Sequence, residues 1–549
     1  MRSNRLRAFV LVLGASALFS GAAPGTELDW QVVVNNGVKV PGDSRKFNSY
    51  NQPSLNVDRR VVFRARSKGG MGGEPAHGIF TRDMAVAGNP VVTIFDRNTP
   101  VTDPNNLGTS FVEPPSFPRI DITSDTIASR ANHPPVWQWE IGPDETTRAG
   151  TTGIYTNPFG DLVTGASNLG AAPGFEFFAV PDTGGIKFDV FPGAPAVTDL
   201  ATIVFKGNFT VGGVSGTGVY YRDLMDAPTG GTGTVVRIAD TDTVIPGSDL
   251  TFGSTAPPSA AGRQAVFAGF DNEESPSLGG IYLAPLAEPD PPLATLVAIG
   301  GRVPGERQGV VFNRLGEGVS FDGRFVAFWG AWGTETKTLT LQCPNEGNKD
   351  RVAYCKATYP RGFTATVPLH QGVFVHDIQT GQTRTVARAP EDFDDFVYWN
   401  FSGMVPGMGG SHDTGEPARW RSASFVAVSG LVDGQLADAT FHVAFKARTG
   451  GIVKGEYEDP VDGIYLGQGP GNSPLATVIE TGMDGTAIDP AAVQLDEESG
   501  EPLALPVTEM GVERDGFRGD ALAINVSMGS EEAGWAGIYL VVVSEARSR

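Results

Sequence analysis

A Gly-aliphatic-aromatic triplet recurs seven times along this 549-residue chain, each time between two apolar runs of the kind that form β-strands. Repetition of one motif in a fixed order is the sequence signature of repeat arrays and β-propellers. The copies are Gly78-Ile79-Phe80, Gly153-Ile154-Tyr155, Gly218-Val219-Tyr220, Gly280-Ile281-Tyr282, Gly372-Val373-Phe374, Gly463-Ile464-Tyr465 and Gly537-Ile538-Tyr539. The triplet therefore predicts an all-β chain built from seven similar units.

The clearest unit, residues 252–305, predicts four strands in each repeat. Its β-rich runs are bounded by Gly, Pro, Asp or Ser, as in strands joined by hairpins, and they span 252–258, 264–269, 280–283 and 294–299. The unit ends in Val303-Pro304-Gly305, which predicts a turn because Pro fixes φ and Gly accepts a positive φ. No amphipathic helix is predicted after the first 25 residues.

The two ends of the chain predict how the units are arranged. The seventh unit stops after its third strand, and residues 30–42 contain the missing fourth strand and the Val-Pro-Gly turn. An N-terminal strand that completes the last unit closes a ring and removes an exposed sheet edge, whereas an open solenoid needs a cap at both ends. The sequence thus predicts a seven-bladed β-propeller of four-stranded blades, closed by the N-terminal strand. The alternative is a pair of β-sandwich domains.

The repeat also resembles that of a known group of proteins. A strand ending in Val-Ala-Phe, as at Val326-Ala327-Phe328, followed by Gly-Ile-Tyr and then Val-Pro-Gly, is similar to the repeat of secreted bacterial tandem-repeat proteins of unknown function. The resemblance is strongest at residues 200–330 and weakest at 100–175. It implies a propeller-like fold but no activity, and no catalytic residue is assigned from it.

The first residues predict the compartment. Residues 1–22 have the features of a signal peptide: Arg2, Arg5 and Arg7, a short apolar segment, and a small-residue cleavage site. The apolar segment is too short to cross a bilayer, so we expect a secreted or periplasmic protein without a membrane span. Residues 28–543 are predicted to form one propeller domain, with insertions at about 331–370 and 408–440.

Composition narrows the range of partners. The formal net charge is −21, which disfavours binding to nucleic acid and to anionic membranes. We expect a monomer. The two cysteines, Cys343 and Cys355, both fall in the first insertion, and in an oxidising compartment they predict one disulfide. A zinc site is the weaker alternative because the neighbouring histidines have no zinc-ligand spacing.

Candidate site residues come from outside the repeat pattern. Tryptophans that do not belong to the repeat can stack on sugar rings or anchor a peptide, although packing of the insertions on the ring is the competing interpretation. These ligand-binding candidates are Trp137, Trp139, Trp332, Trp399 and Trp420. The acidic run around Asp392, Asp394 and Asp395 is the candidate cation site, for which calcium is the expected ion, and a solvated loop is the alternative. No other cofactor is predicted.

The sequence leaves three functions open. A non-enzymatic extracellular scaffold that binds a glycan or a protein through the two insertions is favoured, because loops on a rigid frame usually carry function. An extracellular polysaccharide hydrolase or lyase that uses acids at the channel mouth is the second hypothesis, with no catalytic pair identified. A calcium-dependent structural surface or matrix protein is the third. The fold alone does not choose among them.

Overall fold

A computed structural model describes residues 28–543 except 70–73, 104–106, 144, 226–232, 346–347, 409–416, 432–439, 470–473, 497 and 531–532. The predicted signal peptide at residues 1–22 lies outside the described residues. Seven antiparallel sheets form the blades of a β-propeller, and four two-stranded hairpins extend from them or lie between them. The predicted fold class is confirmed.

The strands follow the chain blade by blade. Blade 1 contains β2 (Phe47–Tyr50), β3 (Ser54–Leu55), β4 (Arg60–Ser67), β5 (His77–Asp83) and β6 (Val92–Asp96). Blade 2 contains β7 (Arg119–Ile120), β8 (Ile127–Asn132), β11 (Thr152–Phe159) and β12 (Asp161–Ser167), with an inserted hairpin of β9 (Trp137–Gly142) and β10 (Glu145–Ala149). Blade 3 contains β13 (Phe188–Val190), β14 (Ala196–Thr198), β15 (Thr202–Val211), β16 (Val214–Asp223) and β17 (Val236–Asp240).

The next two blades repeat this order. Blade 4 contains β18 (Ser254–Thr255), β19 (Ser259–Ala261), β20 (Gln264–Phe270), β21 (Gly279–Pro285) and β22 (Ala294–Ala298). Blade 5 contains β23 (Phe312–Leu315), β24 (Ser320–Phe321), β25 (Phe325–Leu341), β26 (Phe363–Asp377) and β27 (Gln382–Ala389). The helix α1 (Lys349–Thr358) connects β25 to β26.

The last two blades carry the remaining hairpins. Blade 6 contains β30 (Val426–Leu431), β31 (Thr440–Thr449), β34 (Val461–Gly469) and β35 (Ala476–Glu480), with hairpins β28 (Tyr398–Ser402)–β29 (Arg419–Ala423) and β32 (Ile452–Val453)–β33 (Glu456–Tyr457). Blade 7 contains β38 (Val507–Gly511), β39 (Phe517–Arg518), β40 (Ala521–Gly529) and β41 (Gly534–Val542), and the hairpin β36 (Val493–Leu495)–β37 (Pro502–Ala504) precedes it. Among the described residues, 3₁₀ turns span Glu176–Phe178 and Gly485–Ala487.

Two sets of contacts close the ring. The innermost strands β3, β7, β14, β19, β24, β30 and β39 each contact the next one, and β39 contacts β3 again. At the outer edge of blade 7, the N-terminal strand β1 (Asp29–Asn35) pairs antiparallel with β41. The predicted closure by the N-terminal strand is therefore confirmed. It leaves no unpaired edge on β41, because β1 satisfies that edge's backbone groups.

The inner strand of most blades is broken into two pieces, which the repeat pattern did not predict. In blade 4 only β18 lies within the expected run 252–258, and a second piece, β19, follows that run; both pair with β20. Pro257 and Pro258 lie between the two pieces and have no backbone N–H for the ladder. The pieces nearest the channel contact the innermost strands of the neighbouring blades, as the unbroken strands β7 and β30 also do.

The first insertion is a projecting arm. Strands β25 and β26 extend together beyond the other strands of blade 5, and Cys343 and Cys355 are joined by a disulfide at the far end. The arm also contains α1, a helix that the sequence did not predict and that is not of the amphipathic kind whose absence was expected. Only Cys355 is buried on α1, so the helix has no apolar stripe that a sequence pattern could reveal.

The second insertion is only partly an insertion. The range 408–440 contains β29, which pairs with β28, but it also contains β30, the innermost strand of blade 6. No helix among the described residues has the length and apolar character needed to cross a membrane.

Candidate functional site

The central channel is filled by residues 513–518 of blade 7, here called the plug. These residues reach every other blade. Their partners are the Leu55 N–H in blade 1, Arg119 in blade 2, the Ala194 carbonyl in blade 3, the Pro257 carbonyl in blade 4, the Ser320 hydroxyl in blade 5 and the Val428 carbonyl in blade 6. The plug therefore closes the channel between its two mouths.

The plug is held by buried ion pairs. Arg119, whose side chain is 2% exposed, pairs with Glu513 and lies 2.9 Å from Asp515 Oδ2. Arg518 donates to the other oxygen of Asp515 at 2.6 Å. Arg514 differs from these two arginines, since its guanidinium donates to the carbonyls of Pro257 (2.7 Å) and Ala194 (3.2 Å).

Burial and neighbouring charges set the ionisation of these groups. Burial by itself raises the pKa of Asp515, but Arg119, Arg518 and Arg514 outweigh it and hold that pKa below its ordinary value. Burial, and then repulsion from Arg119, lowers the pKa of Arg514 to about 10. Arg514 is therefore still cationic at neutral pH.

A cavity of about 470 Å³ opens at one mouth of the channel, with the plug as its floor. Its lining comes from blades 2 to 7 and includes Arg119, Arg514 and Glu513 at the bottom. The base of the arm contributes Thr366, Val367 and Pro368, and the β29–β30 connection contributes residues 422–426. Its volume falls in the range of ordinary small-molecule sites.

Two tryptophans form part of the cavity wall. Trp329 on β25 is largely buried, and its indole N–H donates to Gln371 Oε1 at 2.9 Å, which fixes the ring. Trp399 on β28 is half-buried and packs against the apolar core between blades 5 and 6. A rigid aromatic wall beside polar floor groups is an arrangement suited to a sugar ring.

An ion pair crosses the rim of the cavity. Arg419 on β29 of blade 6 pairs with Glu273, and its guanidinium lies 3.6 Å from Glu274, both on a loop of blade 4. All three side chains are at least one-third exposed. The pair thus links two blades that are separated by blade 5.

Of the five predicted binding tryptophans, Trp399 alone is placed in the cavity lining. Trp137 packs on Phe175, with ring centroids 4.7 Å apart, and Trp139 lies in the same apolar cluster. Trp332 is buried against Phe374 and His370. Trp420 stacks on Phe363 where the arm meets the β28–β29 hairpin.

The three candidate cation ligands have different hydrogen-bond partners. The Asp392 carboxylate accepts from the Arg388 N–H (2.8 Å), and that of Asp394 accepts from the Gly450 N–H (2.8 Å). Asp395 is fully buried and accepts from Gln371, the Val397 N–H and Tyr457, with Lys337 Nζ 3.2 Å away. Among the described residues no group of three or more His, Cys, Asp or Glu side chains is arranged around a metal position. A cation at this run stays a prediction.

Sequence reasoning missed the charged floor. Arg119 lies in the weakest part of the repeat, residues 100–175, and residues 513–515 contain no repeat motif. A usable signal was the run Glu513-Arg514-Asp515, because charges clustered beside the inner strand of a blade lie near the channel axis of a propeller. Trp329, which directly follows the repeat motif Val326-Ala327-Phe328 at the start of the first insertion, was not among the candidate residues.

No protein-family model matches the chain, and no curated protein matches it in sequence. Solved structures overlap it loosely. The β-propeller domain of the Trilobed protease from Pyrococcus furiosus aligns with 92% of this chain and 98% of its own, at 7% identity and a TM-score of 0.36. A Penicillium chrysogenum α-L-arabinanase complexed with arabinobiose aligns with 94% of this chain and 99% of its own, at 8% identity and a TM-score of 0.26. At these values the overlaps carry no argument about function.

Proposed function

We propose that this protein is an extracellular binding scaffold that takes a saccharide end group into the cavity above the plug. The observation that carries the proposal is the cavity itself, which combines an enclosed floor, a fixed indole wall and charged groups at one mouth of the ring. Concave sites with apolar walls and a few convergent polar groups are the usual form of small-ligand sites.

Binding is favoured over catalysis by the arginine partners of three of the four carboxylates that line the cavity. Glu513 is held by Arg119, and Glu273 and Glu274 are held by Arg419. A carboxylate that is held by an arginine of the protein forms part of the wall of the site, whereas proton transfer needs a carboxylate free to reach the substrate.

The test blocks the cavity without disturbing the fold. Ala423 is exposed and lines the cavity, so Ala423→Trp fills the space from the rim. Ala85→Trp, at an exposed turn of blade 1, is the matched control. On a glycan array, we expect Ala85→Trp to bind as the wild type does and Ala423→Trp to lose binding at least tenfold. Equal binding by both variants would remove the cavity from the proposal.

A polysaccharide hydrolase or lyase is the second candidate, because Glu317 and Glu513 line the same cavity. If the protein is such an enzyme, it must form products from a glycan that it binds. Release of products by the wild type, with loss of turnover but not of binding in Glu317→Gln or Glu513→Gln, would replace the scaffold proposal by the enzymatic one.

A further inference from the structure

The floor of the cavity holds more positive than negative charge. The buried cluster of Arg119, Arg514 and Arg518 contains three cations, and only Glu513 and Asp515 oppose them within the plug. In a chain with a formal net charge of −21, a buried cationic excess at one site is a local feature.

The excess positive charge of the floor belongs mainly to Arg514. Arg119 has Glu513 and Asp515 as partners, and Arg518 shares Asp515. Arg514 instead donates to two backbone carbonyls, and the nearest carboxylate oxygen, on Glu513, is 3.9 Å from its Nε. That Nε is buried and has no hydrogen-bond partner among the described residues. A buried donor without a hydrogen-bond partner destabilises the protein, so a ligand atom that accepts from this Nε is bound more tightly.

A second cation lines the same cavity near the rim. Arg314 on β23 is exposed and forms no ion pair with any described residue. Among the rim carboxylates, Glu273 pairs with Arg419 and Glu274 lies 3.6 Å from the same guanidinium. Glu317, like Arg314, is exposed to water, which screens both charges. Asp322, whose charge interacts with Arg518, does not line the cavity, and burial raises its pKa.

We propose that the saccharide bound in this cavity carries a carboxylate, as in a uronic acid, and that Arg514 and Arg314 recognise it. The inference rests on the proposed function and deepens it. Guanidinium groups bind carboxylates through charge-assisted hydrogen bonds that can be bidentate, and an aromatic wall accommodates the sugar ring beside them. The anion compensates the cationic excess of the floor.

The experiment compares each acid with its own neutral form. Oligosaccharides of galacturonic and of glucuronic acid are titrated into the full chain beside the same oligosaccharides with methyl-esterified carboxyl groups, with tryptophan fluorescence as the readout. We expect at least one free acid to bind about tenfold tighter than its ester, and the difference to shrink as salt is raised. Equal affinity for acid and ester overturns the anionic inference and leaves the scaffold intact. Binding of neutral glycans alone also overturns it, and binding of no saccharide overturns the proposed function.

The Arg314→Gln variant tests whether the preference for the free acid over its ester arises in the cavity. Because Arg314 is exposed, the substitution preserves the fold, whereas Arg514→Gln disturbs the plug. Arg314→Gln should lower affinity for the free acid about tenfold and leave affinity for the ester unchanged. Arg307→Gln, at an exposed turn outside the cavity, is the control and should change neither. An unchanged acid-to-ester ratio in Arg314→Gln would contradict the assignment.

Discussion

At the scale of single residues, the recurring triplet has a geometric cause. Each triplet lies on the third strand of its blade, and the register with the fourth strand shifts between the aliphatic and the aromatic residue. This is a β-bulge, and at five of the seven glycines a backbone carbonyl oxygen of the fourth strand lies close. At Gly218 and Gly463 the nearest atoms are side-chain atoms of Asp240 and Tyr465. A Cβ on any of the seven glycines would meet another atom at 2.1 to 2.7 Å. Only glycine therefore fits at the first position.

Gly280→Ala tests this explanation. The added Cβ would lie 2.1 Å from the Val297 carbonyl oxygen, and backbone is the obstacle, so the fourth strand must move. We expect a loss of about 2–4 kcal/mol in the free energy of unfolding, measured by urea denaturation. Gly451→Ala is the control, because no atom lies within 4 Å of its added Cβ. A loss of less than about 0.5 kcal/mol in Gly280→Ala would contradict the steric account.

At the scale of elements, the arm is a unit docked on its neighbour. Cys355 is buried with Phe401 and Ala418 from the β28 and β29 region, and Tyr354, Tyr359 and Trp420 pack around them. The two insertions thus form one structure, and its base is a wall of the cavity. Trp420, which the sequence suggested as a ligand platform, serves this contact.

Removal of the disulfide should loosen the arm and spare the ring. In a Cys343→Ser, Cys355→Ser double variant, we expect trypsin to cleave at the basic residues of α1 several-fold faster, since the bridge restricts the tip by about 3 kcal/mol. The thermal midpoint of the ring should stay within about 2 °C, because α1 buries only one side chain. Reducing agent should speed cleavage of the wild type and leave the double variant unaffected. A large drop in the midpoint would show that the arm supports the ring.

At the scale of the whole molecule, closure and plugging are linked. Blade 7 receives β1 at its outer edge and sends the plug through the centre to all six other blades. Both contacts require the completed ring. The ion pairs of the plug are therefore a stability element of the entire propeller as well as the floor of its cavity.

Asp515→Asn should destabilise the whole ring in a pH-dependent way. It leaves Arg119 and Arg518 buried without a shared carboxylate, which costs about 3–5 kcal/mol at neutral pH. The pKa of Asp515 is lowered on folding, so its contribution is fully present above its ordinary value of 3.8 and is lost as the pH falls through the lowered value. The difference between wild type and variant in thermal midpoint should therefore shrink in acid.

Asp520→Asn is the matched control for that prediction. Its partner Arg59 lies 3.1 Å away, and both side chains are about one-third or more exposed. An exposed pair contributes less than about 1 kcal/mol, so we expect a small effect at every pH. Equal losses in the two variants would mean that the plug pairs are worth no more than surface pairs.

Some features of this fold could be predicted from the sequence and others could not. The triplet could be recognised because the same bulge recurs beside the same glycine in all seven blades, and the strand order followed from it. The break of the inner strand at Pro257 and the helix α1 could not be predicted, because neither produces a periodic pattern of apolar residues. Among the candidate site residues, Trp399 lines the cavity. Trp332 and Trp420 lie outside the repeat pattern, as site residues often do, but both pack inside apolar clusters.

The sequence by itself determined the seven repeats, the all-β architecture and the closure by the N-terminal strand, because each is encoded in short local patterns. The tertiary structure alone decided what the ring surrounds. Arg119 and Glu513 are 394 residues apart and become partners only when the seventh blade is completed. Their meeting depends on where the ring places its axis, and no local pattern records that position.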